Sequence, residues 1–317
     1  MKEARLFLIT GKGGAGKTTV AAALGLLFSG RGERTLLVES ANDGSLAHCF
    51  GMSRFAGQPQ AVQSSLWGVC VEPRVLLEHY VSRMLRLPWL AQRLLGSSAF
   101  QALSAAAPGV SEFLLLERIA RWVDAGFWHR RQRYQRVIVD GPATGHMLHL
   151  LRAPRQLLNL LPGGPLHRTV LEIEALLTDP VQSRVLVVTL AEEMSVQETL
   201  EAYEVLQREL VLAVERPIVN RVPPRYFTRQ EAERILAQAD GGPLYDAARY
   251  VIERRALAEQ IVTRLSQQLD QAPLLLPELP RPPRDARSLA RIARALRRLA
   301  EGAATQAEGV SLHASRS

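Results

Sequence analysis

Cysteine and long apolar runs are scarce in this 317-residue sequence, and each scarcity excludes a class of protein. The two cysteines, Cys49 and Cys70, are too few for a disulfide framework or for a four-ligand zinc site built within one chain. No apolar run approaches the roughly 20 residues that a membrane-spanning helix requires. Residues 1–10 lead directly into a predicted strand and leave no room for a signal peptide. We therefore expect a cytoplasmic protein.

Lysine is also rare, because only three of the 39 basic residues are lysines. Two of the three, Lys12 and Lys17, lie within one nine-residue segment, whereas arginine supplies nearly all of the net charge of +8. Two lysines within one short segment of an arginine-rich chain indicate chemistry that requires a compact, flexible ammonium group. The charge balance alone is therefore a weak reason to expect a nucleic-acid partner.

Residues 11–19 (GKGGAGKTT) match the pattern G-x-x-x-x-G-K-[ST] between a predicted strand, residues 5–10, and a predicted buried helix, residues 18–29. This strand, loop and helix order is the setting that a P-loop requires, with backbone N–H groups directed at phosphate. Lys17 would neutralise the β- and γ-phosphates of ATP, and the Thr18 hydroxyl would hold Mg²⁺. The predicted nucleotide contacts are Gly13, Gly14, Ala15, Gly16, Lys17, Thr18 and Thr19.

Further strand patterns alternate with helical patterns, which predicts an α/β fold with a mostly parallel sheet flanked by helices. Residues 74–133 interrupt the alternation and are predicted to form an inserted helical subdomain, joined by helices from residues 150–180. Residues 1–73 and 134–301 would form the P-loop domain, and residues 302–317 a disordered tail. The further strands are predicted at residues 34–39, 66–71, 134–140, 184–190, 217–222 and 272–276.

Lys12, one residue after the first glycine, resembles the signature of the deviant Walker A group: nitrogenase iron protein, MinD, ParA, and the ArsA and tail-anchored-protein-targeting ATPases. In that group the extra lysine reaches the phosphates of a partner subunit; the alternative is that Lys12 merely adds local positive charge. Over residues 5–300 the chain resembles the ArsA and tail-anchored-targeting branch, through segments that follow the family order. They are LWGVCVEPRVLLEHYV, APGVSEFLLLERI, DGPATGH, VVTLAEEMSVQETLEAYEVL and IVNRVPP.

The resemblance implies a Mg²⁺-dependent ATPase that opens and closes as a dimer. The dimer would contain two copies or one copy with an ArsA-like paralogue, and its helical subdomain would act on a protein client or partner. By matching position, Asp140 would contact the Mg²⁺ shell and Gly141 would lie near the γ-phosphate. Asn220 would hydrogen-bond to the adenine and Pro277 would stack near it. His146 would lie on the switch helix, where a structural role is equally consistent with a histidine.

The match to the family's switch I is incomplete. That segment reads approximately L-L-I-S-T-D-P-A-H, and its aspartate orients the attacking water. Here residues 36–44 (LLVESANDG) place Ala41 at the aspartate position, and a methyl group cannot orient water. Asp43 or Glu39 would substitute if the loop takes a different path through Gly44.

Two functions therefore stay open. The first is an ATPase, weakened by the alanine, in which Lys12, Lys17, Asp43 and Asp140 carry catalysis. The second is an ATP-binding regulatory or scaffold subunit paired with an active paralogue. A thiol-dependent arsenite pump is disfavoured, because neither cysteine has another close to it in sequence. The C-x-x-C pair of the zinc-bridged tail-anchored-targeting dimer is absent as well.

Residues 281–300 (RPPRDARSLARIARALRRLA) place apolar residues at helical spacing with arginines around the rest of the helix. We expect the apolar stripe to pack on the sheet and the arginines to face water. A membrane-surface helix is the second alternative and a DNA-binding surface is the third.

Overall fold

The computed structural model describes residues 4–40, 43–71, 76, 109–123, 134–237, 242–280 and 285–300. Eight strands within these ranges form one sheet in the order β3-β4-β2-β5-β1-β6-β7-β8, parallel except for the β3–β4 pair. In chain order the strands are Leu6–Gly11 (β1), Thr35–Glu39 (β2), Gln60–Gln63 (β3), Leu66–Cys70 (β4), Arg136–Asp140 (β5), Ser183–Leu190 (β6), Ile218–Val222 (β7) and Leu274–Pro277 (β8).

Nine α-helices within the described ranges cover both faces of the sheet, and a π-helical turn, Val205–Glu209, follows one of them. They are Lys17–Ser29 (α1), Ser45–His48 (α2), Val110–Val123 (α3), Thr144–Leu160 (α4), Pro165–Thr178 (α5), Glu193–Glu204 (α6), Arg229–Leu236 (α7), Gly242–Leu269 (α8) and Ala286–Ala300 (α9).

The central strand β1 is buried along its whole length, which explains its continuous apolar sequence. Successive side chains of a strand leave opposite faces of the sheet. Phe7 and Ile9 accordingly join the apolar core that contains α1 and α9. Leu6 and Leu8 join the core that contains α3, α4 and α5. The sheet is therefore a buried layer between two helical layers.

The predicted α/β fold is confirmed, and each predicted strand is present with small shifts at its ends. The largest shift is in the last strand, predicted at residues 272–276 and observed at Leu274–Pro277. The edge strand β3, Gln60–Gln63, was not predicted. Its sequence (QAVQ) alternates partly buried and exposed residues and carries too little apolar content to indicate a strand.

The predicted insertion is described at residue 76 and residues 109–123. Helix α3 forms there as predicted, and its Phe113 and Leu116 share an apolar core with Val137 of β5. Helices α4 and α5 contribute to the same core. The rest of the insertion and the predicted disordered tail lie outside the described residues, so the domain boundaries stay a prediction.

Helix α9 packs its apolar stripe on the core beneath α1, with Leu289, Ile292 and Leu296 buried. Arg291 and Arg294 are exposed, as expected for the side that faces water. The stripe that a membrane-surface helix would insert into lipid is therefore already buried in protein. No helix in the described ranges has the length and apolar content of a bilayer-spanning segment.

Leu296→Ala should lower the free energy of unfolding by about 2–5 kcal/mol, because it leaves a cavity between α9 and α1. Urea denaturation followed by circular dichroism measures the change. The matched control on the same helix is Arg294→Ala, which should change stability by less than about 0.5 kcal/mol. Equal effects of the two substitutions would contradict the burial of this helix face.

Candidate functional site

The loop between β1 and α1 contains glycines at the points where it comes closest to neighbouring strands. Gly14 and Gly16 have φ angles of 78° and 95°, in the left-handed region that glycine adopts without strain. A β-carbon at Gly16 would lie 2.2 Å from Nδ2 of Asn220, and one at Gly11 would lie 1.9 Å from the backbone oxygen of Val188. The loop therefore lies against β6 and β7 more closely than any other residue type would allow.

Lys17, the first residue of α1, folds back over this loop. Its Nζ donates hydrogen bonds to the backbone oxygens of Gly11, at 3.1 Å, and Lys12, at 3.3 Å. Burial lowers the pKa of Lys17, while the nearby carboxylates of Asp140 and Glu198 act in the opposite direction. An ammonium group held by backbone carbonyls can exchange them for the oxygens of an anion that reaches the loop.

Asp140 ends β5 beside the start of α1, and its side chain is buried, with 7% of the residue exposed. Burial raises the pKa of Asp140 to about 7, against the opposing effects of a hydrogen bond from Thr18 and the charge of Lys17. None of the described residues donates a hydrogen bond to Oδ1 of Asp140. The site thus holds a carboxylate oxygen without a donor, next to a threonine hydroxyl.

Glu39 ends the neighbouring strand β2 and is more deeply buried, at 1% exposure. Its Oε1 accepts a hydrogen bond of 2.9 Å from the backbone N–H of Leu46, whereas its Oε2 has no donor among the described residues. Burial raises the pKa of Glu39, and the adjacent carboxylate of Asp43 raises it further. Two buried carboxylates with unsatisfied oxygens therefore lie at this edge of the sheet.

Asp43 precedes α2 and is exposed. Its Oδ1 accepts a hydrogen bond of 3.0 Å from the backbone N–H of Ser45. Burial acts to raise the pKa of Asp43, but the hydrogen bonding of Ser45 and the nearby Glu39 carboxyl group outweigh it, and the pKa is lowered. The structure thus brings Asp43 to Glu39, while Ala41 lies outside the described residues.

The segment after β5, which continues the DGPATGH match to the family, is hydrogen-bonded to β1. The backbone N–H of Gly141 donates to the oxygen of Ile9 at 3.0 Å, and the Thr10 hydroxyl donates to the oxygen of Pro142 at 3.1 Å. A β-carbon at Gly141 would lie 2.6 Å from the Ile9 oxygen, so this position requires glycine. His146 lies in the first turn of α4 and is exposed.

Asn220 and Pro277 are the two residues predicted to contact the base. They lie on neighbouring strands, Asn220 on β7 and Pro277 on β8, which is farther from β1. Asn220 of β7 is buried, and its Nδ2 donates to the backbone oxygen of Ala15 at 2.8 Å. Pro277 ends β8, the strand beyond β7, and pairs in register with Val222. Asn220 therefore supports the loop directly, and contacts of both residues with adenine stay predictions.

Lys12 is half-buried, and its backbone oxygen accepts a hydrogen bond of 3.2 Å from the N–H of Ala15. This bond, together with the contact from Lys17, closes the loop on itself. The predicted reach of the Lys12 side chain toward a partner subunit stays a prediction.

The residues present fit a magnesium nucleotide. The glycine loop and Lys17 offer N–H groups to phosphate, and the unpartnered oxygens of Asp140 and Glu39 fit a cation that prefers oxygen ligands. The described residues contain no cluster of three or more histidine, cysteine, aspartate or glutamate side chains able to hold a metal by themselves. A cation here would therefore need further oxygens, from a phosphate or from water.

Two features of the site were not predicted. Glu198 of α6 lies near enough to Lys17 to affect its pKa, yet its sequence context carries no motif. The contact between Thr10 and Pro142 joins residues that are far apart in the chain, and a local pattern does not show such a contact.

Comparisons with known proteins agree with this geometry. The family model described as "Anion-transporting ATPase" matches residues 4–162. "ATPase BagA" of Mycobacterium tuberculosis (strain ATCC 25618 / H37Rv) is 30% identical over 232 residues, which cover 72% of this chain and 68% of the relative.

Two further relatives carry different names. A "Putative arsenical pump-driving ATPase" of Chlorobaculum tepidum is 29% identical over 237 residues, covering 62% of this chain and 56% of the relative. "ATPase GET3C" of Arabidopsis thaliana is 28% identical over 168 residues, covering 49% and 42%. The family match spans β1, the glycine loop, α1 and the Asp140 segment, where the candidate site lies. This chain belongs to the anion-transporting ATPase family.

Proposed function

We propose that this chain binds ATP together with Mg²⁺ and hydrolyses it. The convergence of Lys17, Thr18 and Asp140 at the carboxyl edge of β1 and β5 carries the proposal. Ligands of open α/β sheets bind at this edge, and a phosphate-binding lysine next to a hydroxyl and a carboxylate suits phosphoryl transfer. The ATPase relatives of the family support the same reaction.

In this proposal the N–H groups of residues 13–19 surround the phosphates, and Lys17 neutralises charge on the β- and γ-phosphates. Thr18 and Asp140 hold Mg²⁺, which when bound neutralises charge on the phosphate oxygens. Gly141 directly follows β5 and would lie near the γ-phosphate, and its lack of a side chain allows the close approach of Ile9 and Met147. The tight contact of Asn220 with the loop keeps the loop in one shape.

The alternative is an ATP-binding subunit that hydrolyses ATP slowly and regulates or scaffolds an active paralogue. Ala41 at the position of the water-orienting aspartate favours it. Asp43 is a weak substitute, because its exposed carboxylate is already bonded to the N–H of Ser45. Phosphate release by the purified chain, alone and with any paralogue that co-purifies, distinguishes the two functions.

Lys17→Ala should weaken ATP binding by about 10- to 100-fold, because it removes a charge-assisted contact with the phosphates. Titration of the chain with a fluorescent ATP analogue in the presence of Mg²⁺ measures the affinity. Arg208→Ala, which removes a charge from a side chain that is 81% exposed, is the control and should bind as the wild type does. ATP binding unaffected by the Lys17 substitution would refute the proposed site.

A nucleotide-gated dimer is the second part of the proposal. Lys12 lies on the same loop as Lys17, and the backbone of Lys12 is fixed by bonds from Ala15 and Lys17. A fixed backbone lets the Lys12 side chain extend from the loop toward the phosphates of a second chain. The partner would be another copy or a related paralogue, and the bound nucleotide would govern closure.

Lys12→Ala should abolish ATP-dependent association while ATP still binds to the single chain. Sedimentation velocity with Mg²⁺ and either ATP or ADP measures the association, and titration with the fluorescent analogue measures the binding. The wild type and Arg208→Ala should both sediment faster with ATP. A Lys12→Ala chain that dimerises as the wild type does would remove this lysine from the interface.

A protein client or partner is proposed to contact the helical subdomain and the helices next to it. Leu160, at the end of α4, and Leu171 of α5 are exposed large apolar side chains in this region. Contiguous exposed apolar surface is typical of protein contacts, so these two side chains are candidate contact points. Pull-down of the chain with ATP and then with ADP, followed by identification of the proteins that elute, tests this part.

Transport of arsenical compounds is not part of the proposal, although one relative carries that name. Neither Cys49 nor Cys70 is part of a disulfide, and both are buried. Burial, together with the charges of the Asp140 and Glu39 carboxylates, raises the pKa of Cys49 to about 11. A metalloid ligand must be a thiolate, which this environment disfavours.

Arsenite should therefore leave the rate of ATP hydrolysis unchanged, and Cys49→Ser should not alter the response. A coupled assay for phosphate release, with and without arsenite, measures both. Stimulation by arsenite that is lost in Cys49→Ser would show that this thiol binds the metalloid after all.

A further inference from the structure

Glu39 and Asp140 are neighbours across two strands of the sheet. They are register partners in the parallel pair of β2 and β5, and residues paired in this way direct their side chains to the same face. Both are the last residues of their strands, and both are buried. Their carboxylates therefore lie side by side at the edge of the sheet where α1 begins.

Each carboxylate has one oxygen in need of a partner. Oε1 of Glu39 accepts a hydrogen bond from the N–H of Leu46, and the nearby Thr18 hydroxyl acts to lower the pKa of Asp140. Oε2 of Glu39 and Oδ1 of Asp140 receive no hydrogen bond from any described residue. Buried polar atoms are normally paired, and two neighbouring carboxylate oxygens without a donor are the kind of ligand that a hard cation takes.

The chemistry of the pair indicates which cation fits. Mg²⁺ takes oxygen ligands and is usually held by one or two carboxylates together with water and substrate phosphates. Two carboxylates and the Thr18 hydroxyl are too few to hold the ion alone, in keeping with the lack of a self-sufficient metal cluster among the described residues. The remaining oxygens must come from water and a nucleotide.

We propose that Glu39 is a second carboxylate of the Mg²⁺ site, acting with Asp140, so that the site selects the magnesium complex of the nucleotide over the metal-free form. The inference rests on the proposed ATP binding and adds a residue and a specificity to it. With the ion bound, the positive charge of Mg²⁺ offsets the negative charge of Glu39. Without the ion, the same charge repels the phosphates.

The test is Glu39→Gln, which keeps the shape of the side chain and the acceptor for Leu46 but removes the charge. Binding of a fluorescent ADP analogue is titrated in Mg²⁺ and again in EDTA, and the Mg²⁺ concentration for half-saturation is measured. The substitution should raise that concentration by about 10-fold or more, as loss of a residue near a metal does. In EDTA it should tighten binding about 3- to 10-fold, since one repelling charge is gone.

Two further variants separate charge from damage to the fold. Glu204→Gln, which removes a charge from an exposed side chain of α6, should change neither titration. Glu39→Asp keeps the charge but shortens the side chain, so it should raise the Mg²⁺ requirement without tightening binding in EDTA. Thermal unfolding without ligand should show Glu39→Gln to be no less stable than the wild type.

Opposite shifts in Mg²⁺ and in EDTA support the inference. Unchanged titrations, or weaker binding in both conditions, overturn it while the proposed ATP site stands. Slower hydrolysis with an unchanged Mg²⁺ requirement also overturns it, because Glu39 would then orient water. A wild-type chain that binds no nucleotide refutes the proposed function and this inference together.

Discussion

Negative charge held at the carboxyl edge of the sheet is the constraint around which the site is built. Glu39 and Asp140 are buried side by side in register, and Lys17 lies close to Asp140. Burial raises the pKa of Asp140 to about 7. A carboxyl group whose pKa is raised in this way contributes stability at low pH and loses that contribution as the pH rises through about 7. The folded chain near neutral pH thus bears a cost that a cation can remove.

The glycine loop, in contrast, is held in place by contacts within the protein that do not depend on a ligand. Asn220 donates to Ala15, and Gly16 packs against the Asn220 amide so closely that a side chain would not fit. On the other side, Thr10 is bonded to Pro142. The glycine loop is therefore hydrogen-bonded to β7, and the end of β1 that leads into it is hydrogen-bonded to the segment before α4.

Much of the fold follows from local pattern. Apolar strands alternating with helices predict the parallel sheet, and GKGGAGKTT predicts the loop, since both patterns reflect short-range physics. The apolar stripe of α9 likewise predicts its own burial. The edge strand β3 escapes this reasoning, because antiparallel pairing with β4 stabilises it and its own sequence contributes little.

The site is harder to predict, because its charges come from distant parts of the chain. The sequence indicates Asp140 through a motif, but the pairing of Glu39 with Asp140 depends on the register of β2 and β5. Glu198 of α6, whose charge acts on the pKa of Lys17, has no local signal in the sequence. Ala41 stands where the family has its water-orienting aspartate. The substitution by itself does not show which nearby carboxylate takes over that role.

Helix α9 packs on α1 across a sequence separation of about 270 residues, and contacts of such range slow folding. During synthesis the phosphate-loop helix leaves the ribosome long before the segment that covers it. Its apolar side stays open to solvent, or to chaperones, for most of translation. A nascent chain stopped before residue 286 would therefore leave the side of α1 that packs on α9 uncovered.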